Sequence, residues 1–198
     1  LTRVSTLSVA DPTFDEQSFA GEMGKEAKGN LIANRLLADL PLEDHRKLFS
    51  DLELVTLTCG EVLYEVGDRI RHVYFPNDCL VSLWTMIENH RFLEVGLVGR
   101  EGMIGVPLAL GVEVSSVRAL VQGSGTAMRM NAANFCDETR KSSTFRSEVY
   151  RFIHVKLAEA RQSAACYGAH VVEVRLARCL LMIHDRIQSN TFRLTQDS

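Results

Sequence analysis

The stretch Glu94–Gln122, EVGLVGREGMIGVPLALGVEVSSVRALVQ, limits the possible folds more than any other part of the chain. Its two ends carry strand-forming residues. Between them Gly99, Gly102, Gly105 and Gly111 punctuate a short apolar run from Met103 to Leu110. Glycines permit tight turns and close backbone approach. The run is too short for an ordinary helix and too apolar for an exposed loop. The expected order is strand, turn, one or two helical turns, turn, strand. A short helix set into a sheet protein offers backbone N–H groups at its N-terminus, a natural seat for an anion. A buried crossover that only closes a barrel fits the spacing equally well.

The residues before this stretch read as short strands. Leu54, Thr56 and Thr58 alternate with Val55 and Leu57, Cys59-Gly60-Glu61 turns the chain, and Val62-Leu63-Tyr64 begins a second strand. Gly67-Asp68 turns it again before His72-Val73-Tyr74-Phe75. Pro76-Asn77-Asp78 is turn chemistry, Cys79–Met86 a further strand, Glu88-Asn89-His90 a turn, and Arg91–Leu97 the next strand. Gly123–Met130 reads as the closing strand. The fold class expected is α+β, an antiparallel jelly-roll-like β-roll with helices at its ends.

The helices announce themselves by caps and periodicity. Leu31, Ile32, Leu36 and Leu37 lie at helical spacing, and Pro41 starts a second short helix with Glu43 and Asp44 in its first turn. Asn131 suits the N-cap of a helix through Glu138, and Ser142 and Ser143 can cap the next, longer one. From Phe145 apolar or small residues recur at Val149, Ile153, Leu157, Ala160, Ala164 and Tyr167. That stripe suits a helix packed on a copy of itself, with Ala160, Ser163, Ala164 and Ala165 allowing close approach. The same stripe could also lie on the chain's own roll, and the two ends are expected to divide the work. Gly168 marks a hinge before a second helix, Val171–Ile187, with apolar faces at Val174, Leu176, Leu180, Leu181 and Ile183.

Composition narrows the function classes. Of 198 residues, 46% are hydrophobic and 24% charged, the balance of a soluble globular protein. No apolar run approaches the roughly 18 residues of a membrane span, and neither a signal peptide nor a membrane partner is expected. A formal charge of −3 gives no basic footprint for nucleic acid. Cys59, Cys79, Cys136, Cys166 and Cys179 are scattered without a C-x-x-C pair, as in a reducing cytoplasm. Residues 1–29 read as a polar arm. A metal-binding jelly-roll enzyme would need clustered ligands, and His72 and His90 stand apart. Cys79 and His72 are the two residues a haem could use. No catalytic set, metal site or cofactor is expected.

Three stretches resemble one family. Gly102, Ile104 and Gly105, with Val117-Arg118-Ala119 on the return, resemble the phosphate-binding cassette of cyclic-nucleotide-binding domains in Crp/Fnr-type transcription regulators. Gly60–Phe75, GEVLYEVGDRIRHVYF, is similar to the same family's first turns, with Cys79 where a glycine is usual. Arg175-Leu176-Ala177 with Leu180-Leu181 resembles the opening of its DNA-binding domain, and Leu194–Asp197, LTQD, the lead into its helix-turn-helix. The resemblance implies a sensor roll over 30–134, a short helix and long dimerisation helix over 135–168, and the start of a winged-helix domain over 169–198. It implies a cytoplasmic homodimer that reads DNA through a helix-turn-helix lying beyond these residues. It also implies an effector held between roll and long helix that acts on a two-state hinge. Two positions depart from the pattern. Val106 stands where a glutamate would hold the ribose, and Glu113 where an arginine would pair the phosphate. Ordinary cyclic-AMP binding is therefore not expected. The pocket should be apolar and acidic, with Gly102, Gly105, Val106, Ser115 and Ser116 around an unknown small molecule. A genuine cyclic-nucleotide sensor and a ligand-free dimer scaffold for protein interaction remain the alternatives.

Overall fold

Short strands separated by turn chemistry fold into two antiparallel sheets whose inner faces share one core. The computed structural model describes residues 33–41, 48–87 and 91–186. One sheet has the order β1 (Leu52–Leu57), β7 (Gly125–Asn131), β3 (His72–Pro76). The other has the order β2 (Val62–Tyr64), β6 (Arg118–Gly123), β4 (Leu80–Met86), β5 (Phe92–Val98). Leu52 pairs with Met130 and Leu57 with Gly125 across β1 and β7. Val73, Phe75, Met128 and Met130 from the first sheet meet Val81, Ala119 and Val121 from the second in the interior. Positive φ at Gly60 and Gly67, both 90°, makes the two turns that flank β2.

The closing strand agrees with the expectation to within two residues: β6 ends at Gly123, and β7 begins at Gly125, but in the opposite sheet. The switch occurs where the chain is pressed against the corner before β4. A Cβ on Gly125 would lie 2.8 Å from the Asp78 carboxylate and from the Cys79 nitrogen. Asp78 Oδ1 fixes the corner by accepting the Thr126 N–H at 2.6 Å and the Thr126 hydroxyl at 2.8 Å.

Of the first helical region, α1 (Arg35–Ala38) is described, and the helix expected from Pro41 lies in residues 42–47, outside the described ones. Asn34 caps α1, accepting the Leu37 N–H at 3.2 Å. Its Nδ2 donates to the carbonyls of Pro76 and Gly102, each at 2.8 Å, so this fully buried amide ties α1 to the roll and to the glycine-rich crossover. Both expected caps further on are present. Asn131 accepts the Ala133 N–H ahead of α2 (Ala132–Lys141), and Ser142 accepts the Phe145 N–H ahead of α3 (Ser143–Ala169).

The first half of α3 lies on the roll. Phe145 packs edge-on against Phe135 with centroids 5.8 Å apart and stands 6.4 Å from Phe75. Val149, at 0% exposure, sits on this same face. That corrects its expected place in a dimer interface: it is consumed by the core of its own chain. Ile153 is half-buried at the edge of the same core, whereas Leu157 is 48% and Tyr167 52% exposed. The expected hinge also moves. α3 runs straight through Gly168, and the break falls at His170, whose extended backbone (φ −116°, ψ 148°) caps the helix by donating its N–H to Cys166 O. After it α4 (Val172–Arg186) turns back onto the roll, burying Ile183 against Leu80 and Leu97.

Candidate functional site

The glycine-rich crossover is held from three sides. Ile104 bridges Tyr74, its N–H donating to Tyr74 O at 2.8 Å and its carbonyl accepting the Tyr74 N–H at 3.1 Å. Gly105, at φ +102°, turns the chain into a five-residue 3-10 helix, Val106–Leu110, which Gly111 at φ +78° ends. Gly102 lies directly beneath α3, where a Cβ would fall 1.9 Å from the Phe152 ring. Gly99 does the same against α4, where a Cβ would come 2.8 Å from that of Arg186. The order of turns and helix matches the sequence reading, but the anion seat does not follow from it. The Gly105 backbone is hydrogen-bonded to the Tyr64 phenol, and Pro107 in the first turn has no N–H to give. Burial raises the Tyr64 pKa, so the phenol stays neutral.

A cavity of about 520 Å3 opens between the roll, α3 and α4. Tyr64, Leu83, Leu97, Val106 and Val117 line it from the roll, Phe152 and Tyr167 from α3, and Arg175, Arg178 and Met182 from α4. Of the expected site residues, Gly105, Val106 and Ser115 reach it. Gly102 lies behind the wall under Phe152, and Ser116 is exposed and does not line the cavity. The Ser115 hydroxyl closes on its own turn, donating to Val117 O at 2.6 Å and accepting the Val117 N–H at 3.3 Å. Ala160, Ala164 and Tyr167, expected to face a second copy, also border this space.

The charges differ from the expectation. Glu113 is 62% exposed and pairs with Arg69 at 2.8 Å, outside the cavity, so it does not make the pocket acidic. The carboxylate in the wall is Glu94 on β5. Burial raises its pKa, and the described residues offer it no ion pair. The Arg118 guanidinium does not line the cavity; it lies 3.2 Å from Glu65 and 5.4 Å from the centre of the Phe92 ring. The end of the cavity formed by the crossover is therefore apolar and uncharged.

A charged clasp that sequence reasoning missed joins all three walls. Arg186, 6% exposed, reaches Glu101 of the crossover at 2.7 Å and both oxygens of Glu159 on α3 at 2.8 and 3.0 Å. Lys156 on α3 completes it, 3.2 Å from Glu101, 3.0 Å from Glu159 and 2.7 Å from the Leu97 carbonyl. Burial acts to raise the Glu159 pKa, but Lys156 and then Arg186 outweigh it, and the carboxyl titrates below its ordinary value. The partners lie 85 and 27 residues from Arg186 in sequence, so no local pattern signals the clasp.

Cys79 and His72, the two residues named for a haem, do not meet at this cavity. Cys79 is buried in the core, its thiol pushed up to about 12 by burial and then by Asp78, and neither it nor His72 lines the space. Among the described residues no three of His, Cys, Asp or Glu come together as metal ligands, and no helix is long and apolar enough to cross a membrane.

No family model matches the sequence, and no curated protein matches it at a significant level. The structure does find relatives. The c-di-GMP responsive global regulator CLP of Xanthomonas campestris is similar with a TM-score of 0.62 at 12% identity, over 76% of each chain. FixK2 of Bradyrhizobium japonicum matches with a TM-score of 0.61 at 12% identity, over 70% of this chain and 69% of its own. The catabolite activator protein of Thermus thermophilus matches with a TM-score of 0.55 at 15% identity, over 67% of this chain and 62% of its own. At these identities the likeness is one of fold: the chain has the β-roll fold shared by cyclic-nucleotide-binding domains and Crp/Fnr-type regulators.

Proposed function

We propose that this chain is the effector-sensing and dimerisation part of a Crp/Fnr-type transcription regulator, acting on DNA through a helix-turn-helix that follows α4. The observation that carries the reading is the cavity whose walls are the roll, the long helix and α4 together, with Arg186 clasping all three. A ligand in that space touches sensor and output helix at once. It can shift their arrangement by as much as its affinity differs between the docked and undocked forms of α4. A role as a scaffold alone would not require a cavity of about 520 Å3 at this junction.

The departures at Val106 and Glu113 support an effector other than a cyclic nucleotide. With Arg69 and Arg118 both spent on glutamates, the crossover presents no cation to a cyclic phosphate.

The exposed second half of α3 supports a homodimer. Leu157 lies on its free face, and Tyr167 further along is also half-exposed. Sedimentation velocity tests it: the chain should sediment as a dimer at micromolar concentration, and Leu157→Glu should convert it to a monomer with unchanged circular dichroism. A wild-type chain that stays monomeric up to about 100 micromolar would remove the dimer, and with it the two-fold reading of DNA. DNA selection from genomic fragments, using the protein extended through its helix-turn-helix, tests the output. The expected product is a set of inverted repeats about one helical turn apart.

A further inference from the structure

We propose that the cavity takes a small amphipathic anion, its apolar body against the crossover and β5 and its acidic head against Arg175 and Arg178 of α4. The inference deepens the sensing function proposed above and rests on it.

Arg175, Arg178 and Met182 follow one another at helical spacing and face the cavity together. Further along the same helix Ile183 is buried and Arg186 is clasped, so the arginines nearer the α3–α4 break stand on an anchored element. Arg186 has two carboxylate partners. Arg175 and Arg178 have none among the described residues. Arg175 lies over the Tyr167 ring, 4.3 Å from its centroid, and its Nε is buried with no hydrogen-bond partner among those residues. A buried donor left unmade is costly. A guanidinium already fixed on an aromatic face is prepared to take a carboxylate or phosphate through two parallel bonds.

The opposite end of the cavity gives the ligand its direction. The Tyr64 phenol is held by the Gly105 backbone, and the Ser115 hydroxyl is closed on Val117. Val106 and Phe152 add apolar surface there. The Glu94 carboxylate stands in the β5 wall without an ion pair among the described residues, so an anion placed beside its ionised form would be repelled. Lys156 also lines the cavity but is paired with Glu101 and Glu159, so among the described lining residues the cations without a carboxylate partner are those of the α4 wall. This reverses the polarity of a cyclic-nucleotide site, in which the crossover holds the phosphate. A ligand gripped at its head by α4 and at its body by the roll binds the docked arrangement of α4 and stabilises it.

The test uses the whole chain and the fluorescent probe 1-anilinonaphthalene-8-sulfonate, displaced in turn by decanoate, 1-decanol and decylammonium below their aggregation limits. Decanoate should displace the probe at about one tenth, or less, of the 1-decanol concentration, and decylammonium should be the weakest of the three. Added salt should erode the decanoate advantage and leave 1-decanol unaffected. The double variant R175Q/R178Q should lose the preference for decanoate while binding 1-decanol as before, and R175K/R178K should keep part of it. If the glutamine variant does not fold, the lysine pair and the salt dependence of the wild type decide the matter. Equal displacement by decanoate and 1-decanol, or a preference that survives R175Q/R178Q, overturns the anionic head and leaves the sensing cavity standing. Failure of the probe and of all three ligands to bind overturns the cavity as a sensor as well.

Discussion

Replacing Arg186 by methionine should release α4 from the roll without unfolding the roll. The side chain makes three kinds of bond: to Glu101 at 2.7 Å, to both Glu159 oxygens at 2.8 and 3.0 Å, and to the Met182 carbonyl at 2.9 Å. Hydrogen bonds between charged groups contribute roughly 1.5–3 kcal/mol each. Desolvating the guanidinium, which is 6% exposed, cancels part of that. Glu101 and Glu159 keep Lys156 in the variant, so they are not left wholly uncompensated. The net loss worked from these terms is about 2 kcal/mol, or roughly thirtyfold in the docking equilibrium of α4. Methionine retains the apolar stem, so the packing of Ile183 against Leu80 and Leu97 is disturbed least. Native-state hydrogen exchange reads the effect directly. Amides of 179–186 should exchange about thirtyfold faster, while those of β3 and β7 keep their protection. Unchanged exchange in α4 would refute the clasp as its anchor. An equal loss of protection in β3 and β7 would refute the separation of α4 docking from roll stability.

The same clasp predicts an acid limit. Because the Glu159 pKa is lowered on folding, its contribution is complete above the ordinary value of 4.5 and is lost as the pH falls through the lower folded value, so α4 exchange should accelerate only in that acid range. Glu94 has the opposite sign. Its raised pKa makes the ionised form a burden above 4.5, so Glu94→Gln should raise the melting temperature at pH 8, with the gain shrinking toward pH 4; an unaltered melting temperature at pH 8 would contradict its desolvation. Gly102→Ala should place a methyl inside the Phe152 ring, 1.9 Å from its nearest atom, and cost about 3 kcal/mol, or roughly 6–12 °C in calorimetry. Phe152→Leu in the same chain should recover part of that loss, and a neutral Gly102→Ala would show that α3 does not approach the crossover so closely.

The roll was legible where structure is set by neighbours in sequence. Gly60 and Gly67 announce turns, and Val62-Leu63-Tyr64 between them is a strand as expected. Asn131 and Ser142 cap the helices that their positions suggest. The boundary between β6 and β7 was legible to within two residues, but the change of sheet there was not. What forces the change of sheet is the distant Asp78 corner. The candidate site was legible only in part for the same reason. Gly105 and Val106 line the cavity, but whether a side chain is free to meet a ligand depends on partners far along the chain. Ser115 is taken by its own turn, Glu113 by Arg69, and Gly102 lies under the ring of Phe152, 50 residues away and outside the helical stripe read from the sequence. Arg175, Arg178 and Arg186 all fall within the expected helix, and Arg175 within a family resemblance. Their burial and pairing depend on α4 folding back, which no local signal records.

The measurement that bears most directly on the central claim is isothermal titration of the chain with cyclic AMP and cyclic GMP. The claim is that this roll keeps the architecture of a nucleotide sensor while its crossover has lost the means to hold a cyclic phosphate. Titration should give no heat of binding up to millimolar nucleotide. Micromolar binding at one site per chain would contradict the claim, because it would mean that backbone groups around Gly105, without an arginine, suffice for the phosphate.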